Sequence, residues 1–134
     1  MRSTKIVTSF IKDEQKFLIL RRSDKVKTMK GLWAGISGII EKNEVPLLRA
    51  KIEIFEETGI FEDKIRLVKT TEALKISSPQ YENHEWEIFP FLFEAEKPNI
   101  KLNWENSEYK WITMDELKTF DTVPSLEKVL LKLL

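Results

Sequence analysis

The stretch from Pro46 to Gly59, PLLRAKIEIFEETG, leaves the chain least conformational freedom. Proline at a helix start forfeits no bond, because the first N–H groups lack partners, and glycine just past the end adopts the left-handed turn that closes a helix. The interval holds no other proline or glycine, so the spacing predicts a helix opened by Pro46 and closed by Gly59. At roughly 100° per residue, Glu53, Glu56 and Glu57 fall within one arc, with Arg49 one turn before Glu53 on the same arc. Leu47, Ala50 and Ile54 form an apolar stripe beside it, and Leu48 and Phe55 a second stripe across the helix. Apolar residues on two sides predict a helix wedged between layers, its acidic face opening into a groove.

Three carboxylates on one face repel each other at helical spacing. A hard divalent cation reverses that cost, since magnesium takes carboxylate, water and phosphate oxygens as ligands. On spacing alone, a solvated acidic face is the simpler account, and both readings stay open.

The rest of the chain frames this helix. Lys5–Ile11 and Lys16–Arg22 are rich in β-branched and apolar residues around a polar turn, which predicts a hairpin. The segment 32–40, with Gly35 and Gly38 among apolar residues, reads as a glycine-bent strand or loop. Strands are predicted over 65–74, 84–94 and 109–112, a helical turn over 114–119 and a terminal helix over 125–134. Pro90 inside the 84–94 strand points to an edge or a bulge, because proline cannot donate to a ladder. Strands with few helices indicate α/β or α+β packing on a mixed sheet.

The 134 residues suit one domain, 1–134, with no repeat or linker to divide it. Twenty-two basic residues balance 22 acidic ones, so nothing favours long-range attraction to a nucleic-acid polymer or an anionic membrane. No cysteine is present, which removes disulfides, thiolate zinc sites and cysteine nucleophiles. With no apolar run long enough to span a bilayer, a soluble, cytoplasmic protein is the expectation.

The segment Gly38–Ile60, GIIEKNEVPLLRAKIEIFEETGI, resembles the Nudix box, G-x5-E-x7-R-E-U-x-E-E-x-G-U with U a bulky aliphatic residue. Gly38, Glu44, Glu53, Ile54, Glu56, Glu57, Gly59 and Ile60 stand at signature positions, and Ile52 stands where the signature has arginine. The resemblance extends to the hairpin run-in LRRSDKVKTMKGLW and to WENSEYKW, residues 104–111, which is similar to an E-x5-W element of many members. It implies a Nudix-like α/β/α sandwich and a Nudix pyrophosphohydrolase. Such enzymes cleave phosphoanhydride bonds in nucleoside diphosphate-linked compounds: nucleoside triphosphates, dinucleoside polyphosphates or ADP-ribose-type substrates. The implied cofactor is Mg2+, with Mn2+ as a substitute, and the implied partner is a small nucleotide-type substrate. Many relatives pair, so a homodimer is also an expectation.

By position, the resemblance makes Gly38 (through its carbonyl), Glu53, Glu56, Glu57 and Glu105 metal ligands. Glu53 is the first choice of general base and Glu105 the second, with Glu44 a supporting carboxylate; Glu108, Glu82, Glu85 and Glu87 compete with Glu105. Ile52 cannot donate the hydrogen bond by which the signature arginine holds a catalytic glutamate. Either Arg49 supplies that charge, or the domain is catalytically weak or silent and senses a nucleotide or metabolite. Five basic residues, Arg21, Arg22, Lys25, Lys27 and Lys30, precede the glycine-rich segment. Arg22 is the leading phosphate contact, with Arg21, Lys30 and Arg49 as further substrate-binding candidates. Trp33, Trp86, Phe89 and Phe91 read mainly as core, and His84 as structural or exposed. Substrate choice is assigned to residues 71–82 and 98–106.

Overall fold

A computed structural model describes residues 2–77 and 84–134 of the chain. Its strands are β1 (Arg2–Asp13), β2 (Lys16–Arg22), β3 (Trp33–Ala34), β4 (Ile36–Ile39), β5 (Arg66–Thr70), β6 (Leu74–Ser77), β7 (His84–Glu94) and β8 (Asn106–Ile112). The helices are α1 (Pro46–Thr58) and α2 (Leu126–Lys132), and 3-10 turns cover Glu62–Lys64 and Glu116–Thr119. All eight strands join one mixed sheet.

The hairpin forms, but β1 and β2 pair only at its closed end, Lys12 with Phe17 and Asp13 with Lys16. Beyond that point they diverge. β4 takes the free side of β1 at Ile6–Ser9, while β3 and β8 flank β2. The other side of β1 pairs in parallel with the whole of β7. Alternation along β1 sends Phe10 to one face and Val7 and Ile11 to the other. One face packs α2 through Leu126, Val129, Leu130 and Leu133. The opposite face packs α1 through Ala50 and Ile54. Helices on both sides of the sheet make the α/β/α sandwich, an α+β fold with mixed strands, as the resemblance implied.

Three local expectations are corrected. The stretch 65–74 is two strands, β5 and β6, which pair in turn with different halves of β7. For Pro90 the edge alternative is overturned, since its strand is paired on both sides, while the bulge alternative has a counterpart in the register shift between Leu67 and Lys69 where β5 meets β7. The proline is tolerated because β5 pairs with Phe91–Glu94 and β6 with Glu85–Ile88, so the ladder on that side is broken where proline lacks its N–H. The helix α1 is not wedged between layers: Leu48 and Phe55 are 52% and 46% exposed. The single stripe Ala50–Ile54 suffices to dock it, and Phe55 packs instead against exposed Phe61, ring centroids 4.9 Å apart.

Both ends of α1 form as the sequence predicts. Pro46 lies at its first turn, and Gly59 closes it at φ 76°, donating its N–H to Phe55 O. Among the described residues no helix is long and apolar enough to cross a membrane.

Candidate active site

Where β1 parts from β2, a cavity of about 530 Å³ opens between β4, the acidic face of α1 and the loop before β8. Gly38, Arg49, Glu53, Glu56 and Glu105 line one end. Arg22 and Trp104 also border it, and the other end is apolar, with Ile6, Ile76, Trp86, Ile88 and Val129. Helical periodicity thus delivers Glu53 and Glu56 to the cavity, but the opposing wall comes from segments distant in sequence.

Gly38 and Glu53 are in intimate contact. A Cβ at position 38 would press into the end of the Glu53 side chain, so with any other residue there Glu53 would have to leave its present position. Glu53 and Glu57 are both buried, at 8% and 4% exposure. Glu57 Oε1 accepts a hydrogen bond from Asn106 Nδ2 at 3.1 Å, whereas its Oε2 is buried without a donor. The two glutamates adjoin, and carboxylates in contact need a shared proton or a cation between them. Burial pushes Glu57 well up from the ordinary carboxylate range, and the negative charge of Glu105 adds to the shift. Glu53 is also raised by burial, against the opposing hydrogen bond from Arg49.

Arg49 is the organising cation. Its Nε and Nη2 donate to the two oxygens of Glu44, at 2.9 and 2.6 Å, while Nη1 donates to Glu53 Oε2 at 3.0 Å. The Glu41 N–H also donates to Glu44, at 2.6 Å. These bonds hold the Glu44 carboxyl below its usual range, the one from Arg49 contributing most. Glu105 is steadied by Asn103, whose Nδ2 donates to its Oε1 at 3.1 Å.

Not every candidate reaches this end. Arg22 borders the cavity, with Nε donating to Thr28 O at 3.1 Å. Arg21 is outside the lining and pairs with Glu108 at 2.9 Å, which occupies that glutamate as well. Lys30 is exposed on the turn before β3, also outside the lining. Glu85 and Glu87 lie on β7 facing β6, and Glu82 is outside the described residues. Trp33 and Phe91 are core; Trp86 lines the apolar end of the cavity, and His84 Nε2 bonds Thr4 Oγ1 at 2.8 Å. Asn106 escaped the sequence reading, although it directly follows Glu105; an amide beside an acidic candidate carries little signal until the fold brings it to Glu57.

A family model described as NUDIX domain matches residues 2–133. The chain belongs to the Nudix family of pyrophosphohydrolases. Comparison with curated protein sequences gives no match. Among solved structures, the MutT protein of Methanosarcina mazei Go1 is similar at 23% identity and TM-score 0.73, over 93% of this chain and 87% of that one. An Ap4A hydrolase of C. elegans, in a binary complex, aligns at 17% identity and TM-score 0.74, covering 98% of this chain and 94% of that one. The Nudix domain of Shewanella oneidensis NrtR, complexed with ADP ribose, aligns at 14% identity and TM-score 0.75, over 98% and 86%. At these identities the structural likeness concerns the fold.

Nudix hydrolases need a divalent metal, so the fit of this donor set matters. Among the described residues no three acidic or histidine side chains are already closed around one point. Their chemistry fits a hard cation nonetheless. The buried Glu57 Oε2 lacks a donor, Glu53 lies against it, and Glu105 adds negative charge from across the site. A cation neutralises this cluster as a proton otherwise must.

Proposed function

We propose that the chain hydrolyses the phosphoanhydride bond of a nucleoside diphosphate-linked compound in a Mg2+-dependent reaction, as one Nudix domain. The observation that carries this reading is the acidic lining Glu53, Glu56 and Glu105 of a substrate-sized cavity, backed by buried Glu57, which adjoins Glu53 and has one carboxylate oxygen without a donor. Glu53, Glu56, Glu57, Glu105 and the Gly38 carbonyl are the residues that would hold Mg2+, or Mn2+ in its place. Bound there, the metal supplies charge neutralisation for the phosphates and a more acidic water.

The chain's own groups do the rest. Arg22 contributes positive charge at the cavity border for a phosphate oxygen. Glu53, with one oxygen anchored by Arg49, is placed to take the proton of an attacking water, and Glu105 is the second choice. The water oxygen bonds to phosphorus, the bridging P–O bond breaks, and the departing phosphate oxygen keeps that electron pair. Glu44 supports Arg49 and does not face the reaction directly. The apolar end around Trp86 and Ile88 accepts the organic part of the substrate; nucleoside triphosphates, dinucleoside polyphosphates and ADP-ribose-type compounds are the classes to screen. A cytoplasmic location accompanies this reading, in keeping with a chain that has no cysteine to oxidise.

The test is release of phosphate, pyrophosphate or nucleoside monophosphate from those classes with and without Mg2+, beside a Glu56→Gln, Glu57→Gln double variant. Mg2+-dependent turnover lost in the variant is the expected result. Equal activity in the variant overturns the metal assignment. A second reading, a silent ligand-binding domain, draws on Ile52; tight binding of a nucleotide without turnover by the parent chain would establish it instead.

A further inference from the structure

The helix position that bears arginine in the family signature is Ile52, which has no donor to offer, yet Glu53 is held, and Glu44 with it. One guanidinium spans them. Arg49 grips Glu44 with a two-pronged bond and reaches Glu53 Oε2 with its remaining terminal nitrogen. Glu44 belongs to the segment between β4 and α1, and Glu53 to the second half of α1, so the contact ties the helix to its entry loop. The three side chains are 15%, 19% and 10% exposed, which limits competition from water. A bidentate fork fixes direction as well as distance. No other ion pair reaches Glu44 or Glu53 among the described residues.

We propose that Arg49 is the positioning residue of this site, acting from one helical turn before Glu53 in place of an arginine at 52. By anchoring Oε2, it leaves the other Glu53 oxygen as the one presented to the cation or the water. Arg49 does not itself take part in bond making. The inference rests on the hydrolase reading above and concerns which residue orients its carboxylate.

The test uses Mn2+ alone, titrated into the full chain and followed by electron paramagnetic resonance, so that it does not depend on knowing the substrate. Arg49→Ala is expected to weaken Mn2+ binding roughly 10- to 100-fold, the usual effect of losing a group that orients a ligand. Arg49→Lys keeps the charge but cannot bridge both carboxylates with the same three bonds, and stays weakened by about tenfold. Adding Ile52→Arg to Arg49→Ala returns a guanidinium to the signature position and is expected to recover at least about tenfold of the loss. On the substrate found by the screen, kcat should follow the same order while KM moves little, a pattern that general loosening of the fold would not give.

Parent-like Mn2+ binding by Arg49→Ala or Arg49→Lys overturns the proposal, as does a double variant no better than Arg49→Ala. If Arg49→Ala does not fold, Arg49→Lys and the double variant decide the matter on the same terms. A parent chain that binds no Mn2+ overturns the metal reading itself, and the role of Arg49 with it, before any variant is compared.

Discussion

At the scale of single residues, the site is a balance between charge repulsion and enforced proximity. Gly38 permits the proximity, because a side chain there would occupy the space of the Glu53 carboxyl group. Gly38→Ala should therefore displace Glu53 and lower metal affinity or turnover about 10- to 100-fold; an Mn2+ titration of the purified variant measures it. Glu57 carries the repulsion. Its carboxyl is pushed up in the fold, so its favourable contribution is present at low pH and is lost as pH rises through its folded value. At neutral pH in chelator, Glu57→Gln should thus unfold at a higher midpoint temperature than the parent chain. Added Mg2+ should raise the midpoint of the parent and not of the variant. Differential scanning calorimetry with and without the metal reads both effects, and a destabilised metal-free variant would contradict the account of Glu57.

At the scale of elements, boundary residues decide how the acidic helix is presented. Gly59 holds φ 76° while its N–H closes the last turn of α1. Gly59→Ala should cost about 1 kcal/mol, since the left-handed region penalises a Cβ, and urea unfolding measures it. A different boundary device precedes the Glu116–Thr119 turn. The Thr113 N–H donates to Glu116 Oε1 at 2.9 Å, and the Glu116 N–H donates to Thr113 Oγ1 at 3.3 Å. That reciprocal pair is a capping box. The backbone bond from Thr113 holds the Glu116 carboxyl below its usual range. Its contribution is therefore complete above the ordinary carboxylate range and vanishes as pH falls through the lowered folded value. Hydrogen exchange at the Thr113 amide should accelerate relative to other amides over that acidic window, and a Glu116→Gln chain should show no such step.

At the scale of the whole molecule, the sheet has two unequal coverings. Four buried residues fasten α2, Leu126, Val129, Leu130 and Leu133, so this short helix closes a core that includes Phe10, Ile19 and Trp33. Leu130→Ala should cost about 2–5 kcal/mol, the range for a truncated core leucine. Denaturant unfolding followed by tryptophan fluorescence would report it, and a cost below about 1 kcal/mol would mean the site collapses around the loss. On the other face α1 docks through Ala50 and Ile54, leaving Leu48 and Phe55 about half exposed. The two-sided apolar pattern was therefore a poor guide to layering. Periodicity says which residues share a side of a helix, but not whether anything packs against that side.

The local geometry of this protein was legible without coordinates. The limits of α1, the arc of Glu53, Glu56 and Glu57, and the position of Gly38 follow from spacing and the signature, because helical geometry and backbone sterics act over a few residues. The placement of Arg49 beside Glu53 has the same local origin. Tertiary structure alone decided which distant groups answer them. It brought Asn106 to Glu57 and Glu105 to the cavity, turned Arg21 aside to Glu108, and divided the neighbours of β7 at Pro90. Those outcomes depend on strand register and on the divergence of β1 from β2, which are settled by packing across the whole sheet.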